Sequence, residues 1–406
     1  MKRKILILSA VNIEPNSSAA GGRMLQLLNL FQEMDFEIHY ATTAVKTEFS
    51  VNIPYVSFHN IVINDSSFDN FVANLNPAVV VFDRFMLEEQ FGSKISENCP
   101  NALKVLDTED LHSLRQARQN CVKTETPFTL DTWKNSDYTK REIASIYRCD
   151  VTLIISEYEY HCLVQDFKIP ESILFYIPLF AKKQENIKNF SERTDFAFIG
   201  NFLHEPNWDA TQQLYKTIWP SIKQKLPRAK MKIYGAYPTQ KVLELHQPGK
   251  GFYIQGRVDN ALEAIASAKV LLAPIRFGAG IKGKLLDAMQ TGTPSITTKI
   301  GAEGMEYKGW NGFVCDDNES FIEKSILLYS DEKLWHTMQE KGFEIIEKKL
   351  NSLFFADAFK EKINRMIDDL AYYRNDNYIG KLLNHHTTNA YYYMNKWIEE
   401  KNKKLQ

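Results

Sequence analysis

The sequence contains little cysteine and no long apolar run. Five of its 406 residues are cysteine, an odd number without a C-x-x-C motif, which argues against a disulfide framework or a zinc site and predicts reduced thiols. No uncharged apolar stretch reaches the ~20 residues that a membrane-spanning helix needs. The first apolar run, from Ile5 to Val11, is short and lacks a cleavage signature, so it predicts a buried strand rather than a signal peptide. We therefore expect a cytoplasmic protein.

An excess of charge of one sign is also absent. The 49 Lys and Arg residues nearly equal the 50 Asp and Glu residues, and the formal net charge is -1. A global basic field that recruits nucleic acid is therefore excluded, and an anionic ligand must be held by a few local groups. With 44% hydrophobic and 24% charged residues, the chain is suited to two or three folded domains rather than to disorder.

What the sequence does have is a regular alternation of short β-branched runs and segments of helical period, the pattern of parallel βαβ units. The first series is expected to form strands at Ile5–Ala10, Phe36–Thr42, Val79–Phe82, Leu103–Leu106 and Val151–Ile155. The second series is expected to form strands at Phe196–Ile199, Met231–Tyr234, Phe252–Gln255, Val270–Ala273 and Ser295–Thr298. A polar stretch without periodicity separates the two series and is interpreted as a linker.

This alternation predicts an α/β fold with two doubly wound, Rossmann-like domains that face each other across a cleft. We place the first domain at residues 1–180, the linker at 181–193 and the second domain at 194–350. Residues 351–406 are expected to form a C-terminal helical extension that packs back on the first domain. In such sheets, ligands bind outside the carboxyl ends of the strands.

The most informative segment follows the fourth strand of the second series. Residues 273–284 read APIRFGAGIKGK, which predicts the end of a strand, a glycine-rich loop and a helix that starts near Gly283. Glycines let backbone amides approach a ligand, and a helix N-terminus adds partial positive charge. Lys282 and Lys284 add two full charges, so the segment predicts a diphosphate site; an ordinary turn with two solvated lysines is the alternative. The residues of this predicted site are Gly278, Gly280, Ile281, Lys282, Gly283 and Lys284.

A series of short motifs between residues 196 and 312 carries a resemblance to a known family. The motifs are FIGN at 198–201, PN at 206–207, IYG at 233–235, GRV at 256–258, GAGIKGK at 278–284, DAM at 287–289, GTP at 292–294 and GAEG at 301–304. In order and spacing they resemble the C-terminal domain of GT-B glycosyltransferases, in particular the retaining family 4 group. The first half of the chain is similar to that family more loosely.

The resemblance implies transfer of a sugar from a nucleoside-diphosphate sugar to a hydroxyl of a glycan, lipid-linked or protein acceptor, with retention of configuration and without a metal or cofactor. The donor would lie mainly on the second domain, where Lys282 and Lys284 neutralise the leaving diphosphate. Asp287 matches the final glutamate of the family's E-x7-E pattern and would hold ribose. The first glutamate of that pattern falls on Ala279, so the carboxylate that usually meets the donor sugar is absent.

Further donor-side candidates lie on neighbouring loops. Glu303 is expected to accept hydrogen bonds from donor hydroxyls, with an exposed turn carboxylate as the alternative. For Asn207, contact with phosphate or sugar competes with helix capping, and for Arg257 a nucleotide contact competes with a surface ion pair. The set of these candidates is Gly21, Gly22, Gly200, Asn201, His204, Asn207, Arg257, Glu303 and Gly304.

The first domain contributes acceptor-side candidates after one of its strands. Asp107, Asp110 and His112 should open onto the cleft, where they would activate an acceptor hydroxyl or bind the donor sugar. Capping of a nearby helix is the competing explanation. The Gly21-Gly22 pair would present amides to the β-phosphate or the acceptor, or else form a plain turn with Arg23 in solvent.

The last forty residues are rich in aromatic and basic side chains. Tyr391, Met394 and Ile398 share one helical face, which we expect to pack between domains or against a protein partner. Contact with the inner face of a membrane is the second alternative, and contact with nucleic acid is the last. The His385-His386 pair lacks a third ligand, so no metal site is predicted.

Two other function classes stay open from the sequence. One is a sugar-nucleotide epimerase of the same fold, which cleaves the donor and returns it rearranged. The other is a non-catalytic sugar-nucleotide-binding partner of a transferase, because Ala279 stands where the family has a glutamate.

Overall fold

The computed structural model describes residues 2–403, which fold around two parallel β-sheets. The first sheet contains β1 (Lys4–Ser9), β2 (Glu37–Thr42), β3 (Val56–Asn60), β4 (Val79–Asp83), β5 (Leu103–Asp107), β6 (Val151–Ile154) and β7 (Leu174–Tyr176), and the second contains β8 (Phe196–Ile199), β9 (Met231–Tyr234), β10 (Phe252–Gly256), β11 (Val270–Ala273), β12 (Ser295–Thr298) and β13 (Gly312–Cys315). The strand orders are β3-β2-β1-β4-β5-β6-β7 and β10-β9-β8-β11-β12-β13. The expectation of two Rossmann-like sheets is confirmed.

The strands were recognisable because a parallel sheet is covered on both faces and its strands become continuous apolar runs. All ten predicted strands are present, within one residue at each end. The three strands that the sequence did not reveal, β3, β7 and β13, each lie at one edge of a sheet. In β3, for example, Val56 is buried but Ser57 and Asn60 are exposed, so the apolar run is interrupted.

Helices cover both faces of each sheet. In the first half they are α1 (Ala19–Glu33), α2 (Ser67–Leu75), α3 (Phe85–Asn98), α4 (His112–Lys123), α5 (Leu130–Lys134), α6 (Asp137–Arg148) and α7 (Glu157–Gln165). In the second half they are α8 (Glu205–Gln213), a π-helical segment (Leu214–Ile218), α9 (Trp219–Lys225), α10 (Gln240–Leu243), α11 (Ala261–Ala266), α12 (Gly283–Gln290), α13 (Lys299–Ala302), α14 (Asn318–Ser330) and α15 (Glu332–Lys349). Three C-terminal helices follow, α16 (Ala356–Asp368), α17 (Leu370–Asp376) and α18 (Tyr378–Lys403).

Alternation along β1 divides the core of the first sheet between its two faces. Leu6 and Leu8 belong to one buried cluster, and Ile5 and Ile7 to another. A third cluster surrounds the second sheet. We call the first sheet with its helices the first lobe and the second sheet with its helices the second lobe; the exact domain bounds stay a prediction.

The C-terminal helices lie against the first lobe. Phe359, Ile363 and Met366 of α16 are fully buried in the cluster of Ile5 and Ile7. Met394 of α18 is 47% exposed, so it is not buried between the lobes, and contact of this face with a protein partner stays a prediction. The side chain of Tyr391, on the same expected face, lies outside the described part of the structure, as do Met1 and residues 404–406. None of the helices within residues 2–403 combines the length and apolarity that a membrane crossing requires.

Candidate functional site

The glycine-rich loop and the start of α12 lie where the two lobes meet. Gly280 has a φ of +63°, and a Cβ at this position would lie 2.7 Å from Cβ of Asp110 in the first lobe. At Gly283 a Cβ would lie 2.7 Å from that of Ala19, the first residue of α1. The N-termini of α1 and α12 therefore meet across the cleft, and each brings unpaired N–H groups and partial positive charge to it.

The side chains of Lys282 and Lys284 lie at this junction. Lys282 is 8% exposed, and its ammonium donates to the carbonyl of Gly280 at 3.0 Å. The ammonium of Lys284 donates to Oδ1 of Asn207 at 2.7 Å. Burial lowers the pKa of both lysines to about 8, against the opposing effect of nearby carboxylates. A bound anion would stabilise the charged forms that burial disfavours.

Asp287 lies one turn further along α12. Burial raises its pKa to about 7, and Lys284 acts in the opposite direction. The side chain of Gln290 donates to Oδ1 of Asp287 at 3.3 Å, which fixes the carboxylate in place. A carboxylate held in this way can accept hydrogen bonds from uncharged hydroxyl groups.

Asn207 holds the loop after β8 together. Its amide Nδ2 donates to the carbonyl of Asn201 at 2.8 Å, and a Cβ at Gly200 would lie 2.5 Å from its Cγ. The helix-capping alternative for Asn207 is wrong, because α8 has already begun at Glu205 and His204 occupies the N-cap position. Asn207 thus orients Lys284 and the Gly200-Asn201 turn, and Asn201 in turn donates to the carbonyl of Ser17 in the first lobe at 3.5 Å.

The two other basic candidates of the second lobe also contact the first lobe. Nε2 of His204 accepts a hydrogen bond from Arg115 at 3.2 Å. Arg257 forms an ion pair with Asp259 at 2.7 Å, as its alternative predicted, and its guanidinium also lies 4.0 Å from the ring centroid of Phe49. Both residues therefore line the interlobe junction.

The glycine pair of the first lobe forms the first turn of α1 rather than a preceding loop. Ser18 is the N-cap, and its hydroxyl accepts from the amide of Gly21 at 3.1 Å. A Cβ at Gly21 would lie 2.4 Å from the carbonyl of Glu14, whereas Gly22 borders open space. The alternative of a plain turn with Arg23 in solvent is wrong, because this side chain is fully buried and pairs with Asp107 at 3.1 Å.

The acidic segment after β5 is more enclosed than the sequence suggested. Nε2 of His112 lies 3.2 Å from Oδ1 of Asp110, and Asp110 also pairs with Arg115. Burial lowers the pKa of His112 to about 3, although Asp110 acts to raise it. Capping of α4 by the aspartates is wrong, because the carboxylate of Glu142 accepts from the amides of His112 at 2.9 Å and Ser113 at 3.0 Å.

Glu303 takes part in the main ion pair between the lobes. Both of its oxygens accept from Arg118 of α4, at 2.6 and 2.7 Å, and Arg118 also donates to the carbonyl of Gly278 at 2.9 Å. Gly304, with a φ of +76°, approaches Ser156 so closely that a Cβ would lie 2.5 Å from its hydroxyl oxygen. The donor-side candidates Glu303 and Gly304 therefore meet first-lobe partners directly.

Sequence reasoning missed two residues of this junction. Arg118 lies on the apolar face of α4, with Leu114 and Cys121 at helical spacing, and an arginine among apolar positions is the signal that was available. Glu159 is buried, and its Oε1 accepts from the amides of Gly280 at 2.6 Å and Leu111 at 3.2 Å. Burial raises the pKa of Glu159 to about 8.

The structure also explains what stands in place of the missing glutamate. The methyl group of Ala279 packs against the first-lobe cluster that contains Leu6 and Leu8. Across residues 2–403 no three histidine, cysteine, aspartate or glutamate side chains are arranged to hold a metal ion. The two lysines and the N-termini of α1 and α12 bring positive charge to the junction beside this methyl group.

Comparison with known proteins agrees with this geometry. Residues 193–331 match the family described as glycosyl transferases group 1. A relative from Klebsiella pneumoniae, an uncharacterized 44.6 kDa protein in the cps region, is 26% identical over 175 residues, which are 40% of this chain and 45% of that protein. The matched part thus spans less than half of that relative's length.

Solved structures share the overall fold. Sucrose-phosphate synthase from Thermosynechococcus elongatus is similar with a TM-score of 0.69 and 12% identity over 90% of this chain and all of that one. TarM from S. aureus, solved with fondaparinux, alpha-GlcNAc-glycerol and UDP, has a TM-score of 0.69 and 11% identity over 89% of this chain and all of that one. HepE from Anabaena, solved with UDP and glucose, has a TM-score of 0.63 and 13% identity over 89% and 99%.

Proposed function

We propose that this chain, a glycosyltransferase of the GT-B fold with a group 1 domain at residues 193–331, transfers a sugar from a UDP-sugar to a hydroxyl acceptor. UDP or UDP-glucose is bound in solved structures of the same fold, which supports uridine as the nucleoside. The acceptor class is a glycan, lipid-linked or protein hydroxyl in glycan or glycoconjugate biosynthesis. Retention of configuration and independence of metal are carried over from the family resemblance.

One observation carries the proposal. Two lysine side chains are held in the interlobe junction at the N-terminus of α12, and each donates to an uncharged acceptor rather than to a carboxylate. Burial of a cation without an anionic partner is unfavourable, so the arrangement supports an anionic ligand between the lobes. A diphosphate matches the two charges and the helix N-terminus.

In the proposed reaction the bond between the anomeric carbon of the sugar and the β-phosphate oxygen breaks, and negative charge develops on UDP. The acceptor oxygen forms the new bond to the same carbon, and its proton passes to the leaving UDP. Lys282 and Lys284 would stabilise that charge, because fixed donors in a site shielded from water act more strongly than they do in water. Asp287 would accept hydrogen bonds from the ribose hydroxyls. Glu303 can keep its pair with Arg118 and still accept a donor hydroxyl, since a carboxylate has about four lone-pair sites.

Acceptor-side roles are proposed for the segment after β5. Asp107 is paired with Arg23, and Asp110 with Arg115. His112, whose pKa is lowered to about 3 by burial, is an uncharged imidazole at neutral pH. An uncharged imidazole next to Asp110 can orient an acceptor hydroxyl, so of these three residues His112 and Asp110 are the pair assigned to the acceptor.

A second candidate function has one observation in its favour. Ala279 packs on the first-lobe core, so no carboxylate stands at the position that the family uses for the donor sugar. This favours a sugar-nucleotide-binding partner without turnover. The sugar-nucleotide epimerase has no such support and enters only as an outcome of the experiment.

The experiment is calorimetric titration with UDP, GDP and dTDP, followed by incubation with UDP-glucose, UDP-galactose and UDP-N-acetylglucosamine. We expect UDP to bind tightest and one UDP-sugar to release UDP and free sugar slowly, with and without EDTA. Isomerised donor would indicate an epimerase, tight binding without turnover a partner protein, and a strict Mg²⁺ requirement would contradict metal independence. Failure of all three nucleotides to bind would refute the site.

A further inference from the structure

The carboxyl edge of the first sheet carries an acidic side chain that the proposed function does not use. Four acidic residues lie together at the ends of β4 and β5, namely Asp83, Asp107, Glu109 and Asp110. Three of them have an arginine of their own: Arg84 for Asp83 at 3.3 Å, Arg23 for Asp107 at 3.1 Å, and Arg115 for Asp110. Glu109 is the exception.

Among residues 2–403, the Glu109 carboxylate takes part in no hydrogen bond and no ion pair. Its side chain is half-buried. Burial raises the pKa of Glu109 to about 8; Asp107 and Asp83 add to this effect, and Arg84 and Arg23 oppose it. An acidic group that is enclosed but has no partner is expected to meet one in a ligand.

The backbone conformation of Glu109 is a second feature that is typical of a ligand-binding position. Its φ is +62°, a conformation that L-residues other than glycine, asparagine and aspartate rarely adopt. Residues held in such conformations cluster at ligand-binding sites, where the surrounding structure keeps a side chain in a required position. The surrounding structure therefore holds Glu109 in a conformation that its own backbone disfavours, with its carboxyl group near Arg84 at the carboxyl end of the first sheet.

Glu109 also adjoins the proposed diphosphate site. A Cβ at Gly280 would lie 3.2 Å from the carbonyl oxygen of Glu109, so the glycine-rich loop passes directly over this residue. A sugar attached to a diphosphate at Lys282 and Lys284 would project toward the first lobe at this point.

We infer that Glu109 binds a carbohydrate hydroxyl at the reaction centre, either on the donor sugar or on the acceptor. The inference rests on the proposed function. A carboxyl group without a protein partner can accept a hydrogen bond from a hydroxyl when ionised and donate one when protonated. Asp83 and Asp107 are paired with arginines of the fold, and Asp110 is assigned with His112 to the acceptor, whereas Glu109 is the additional carboxyl group that contacts a carbohydrate hydroxyl.

The test compares Glu109→Gln and Glu109→Gly with the matched control Glu125→Gln, which changes an exposed glutamate that also has a positive φ, +54°. UDP affinity should stay within about twofold in all three, because no nucleotide contact is removed. A donor contact would lower UDP-sugar affinity by about tenfold to a hundredfold. An acceptor contact would leave that affinity intact and lower UDP release to water by a similar factor.

The glycine variant separates binding from folding. Because glycine adopts a positive φ without strain, Glu109→Gly should keep or raise the thermal unfolding midpoint while it weakens sugar binding or turnover. If both Glu109 variants match wild type in UDP-sugar affinity and UDP release, this inference fails and the proposed function stands. If the wild type binds no UDP, both fail.

Discussion

The two lobes differ in how the cations beside the cleft are paired. On the first lobe, Arg23 pairs with Asp107 and Arg115 with Asp110, so the cations are matched by carboxylates of the same fold. On the second lobe, Lys282 donates to a carbonyl and Lys284 to a side-chain amide oxygen. The difference separates cations that stabilise the fold from cations that are available to a ligand. Arg23 and Arg115 belong to the first group because carboxylates neutralise them, and Lys282 and Lys284 belong to the second.

The largest expected effect concerns the ion pair between Arg23 and Asp107 in the first lobe. Arg23→Ala leaves Asp107 buried without a counter-ion, and we expect a loss of about 3–5 kcal/mol in the free energy of unfolding. Urea denaturation measures this loss. The double variant Arg23→Met, Asp107→Leu should regain much of it, because both buried charges are then gone. Unchanged stability in the single variant would contradict a structural role for this pair.

The next largest effect is expected for Lys282 and Lys284 of the second lobe. Lys282→Ala with Lys284→Ala should weaken UDP binding by about a hundredfold or more, since two charge-assisted contacts are lost. The thermal unfolding midpoint should stay nearly unchanged, because in the described part of the chain neither lysine forms an ion pair with a carboxylate. The control Lys299→Ala removes an exposed lysine of the same lobe and should bind UDP normally. Unaltered UDP affinity in the double variant would contradict the assigned site.

A smaller effect is expected at Asp287. Asp287→Ala should weaken binding of UDP without any sugar by about tenfold, because the proposed contact is to ribose. Calorimetry with UDP and a UDP-sugar, side by side, measures this. A loss confined to the UDP-sugar would instead assign Asp287 to the sugar.

The last test is the pH dependence of UDP binding by Lys282, Lys284 and Asp287 of the second lobe, where a change of about one pH unit shifts the affinity only in part. The pKa of each lysine is lowered to about 8, so UDP affinity should fall as pH rises through that value and the ammonium groups lose their protons. Asp287, with its pKa raised to about 7 by burial, should weaken ribose binding as pH falls below 7. Calorimetry from about pH 6 to about pH 10 should show a maximum between the two values, and a flat profile would contradict the buried position of these groups.

Much of the fold was predictable because its signals are local. Ten strands were identified from apolar runs, and the start of α12 was identified at Gly283 from the spacing of glycines and lysines. The edge strand β3 was missed because exposed polar residues interrupt its apolar run. The strand β7 has only three residues and β13 begins with Gly312, so neither gives a clear strand signal. The sequence also left open what covers Met394, since helical spacing shows that residues share a face but not which neighbour lies against it.

The sequence by itself determined the alternation of strands and helices, the glycine-rich loop and the two lysines next to it, because these depend on residues close together in the chain. Only the tertiary structure decided which charges are paired. Arg118 and Glu303 are 185 positions apart, Arg23 and Asp107 are 84 apart, and no local pattern indicates such partners. Coulombic pairing depends on distance in space. For Arg23 and Asp107 that distance is set by the fold of the first lobe, and for Arg118 and Glu303 by the packing of the two lobes.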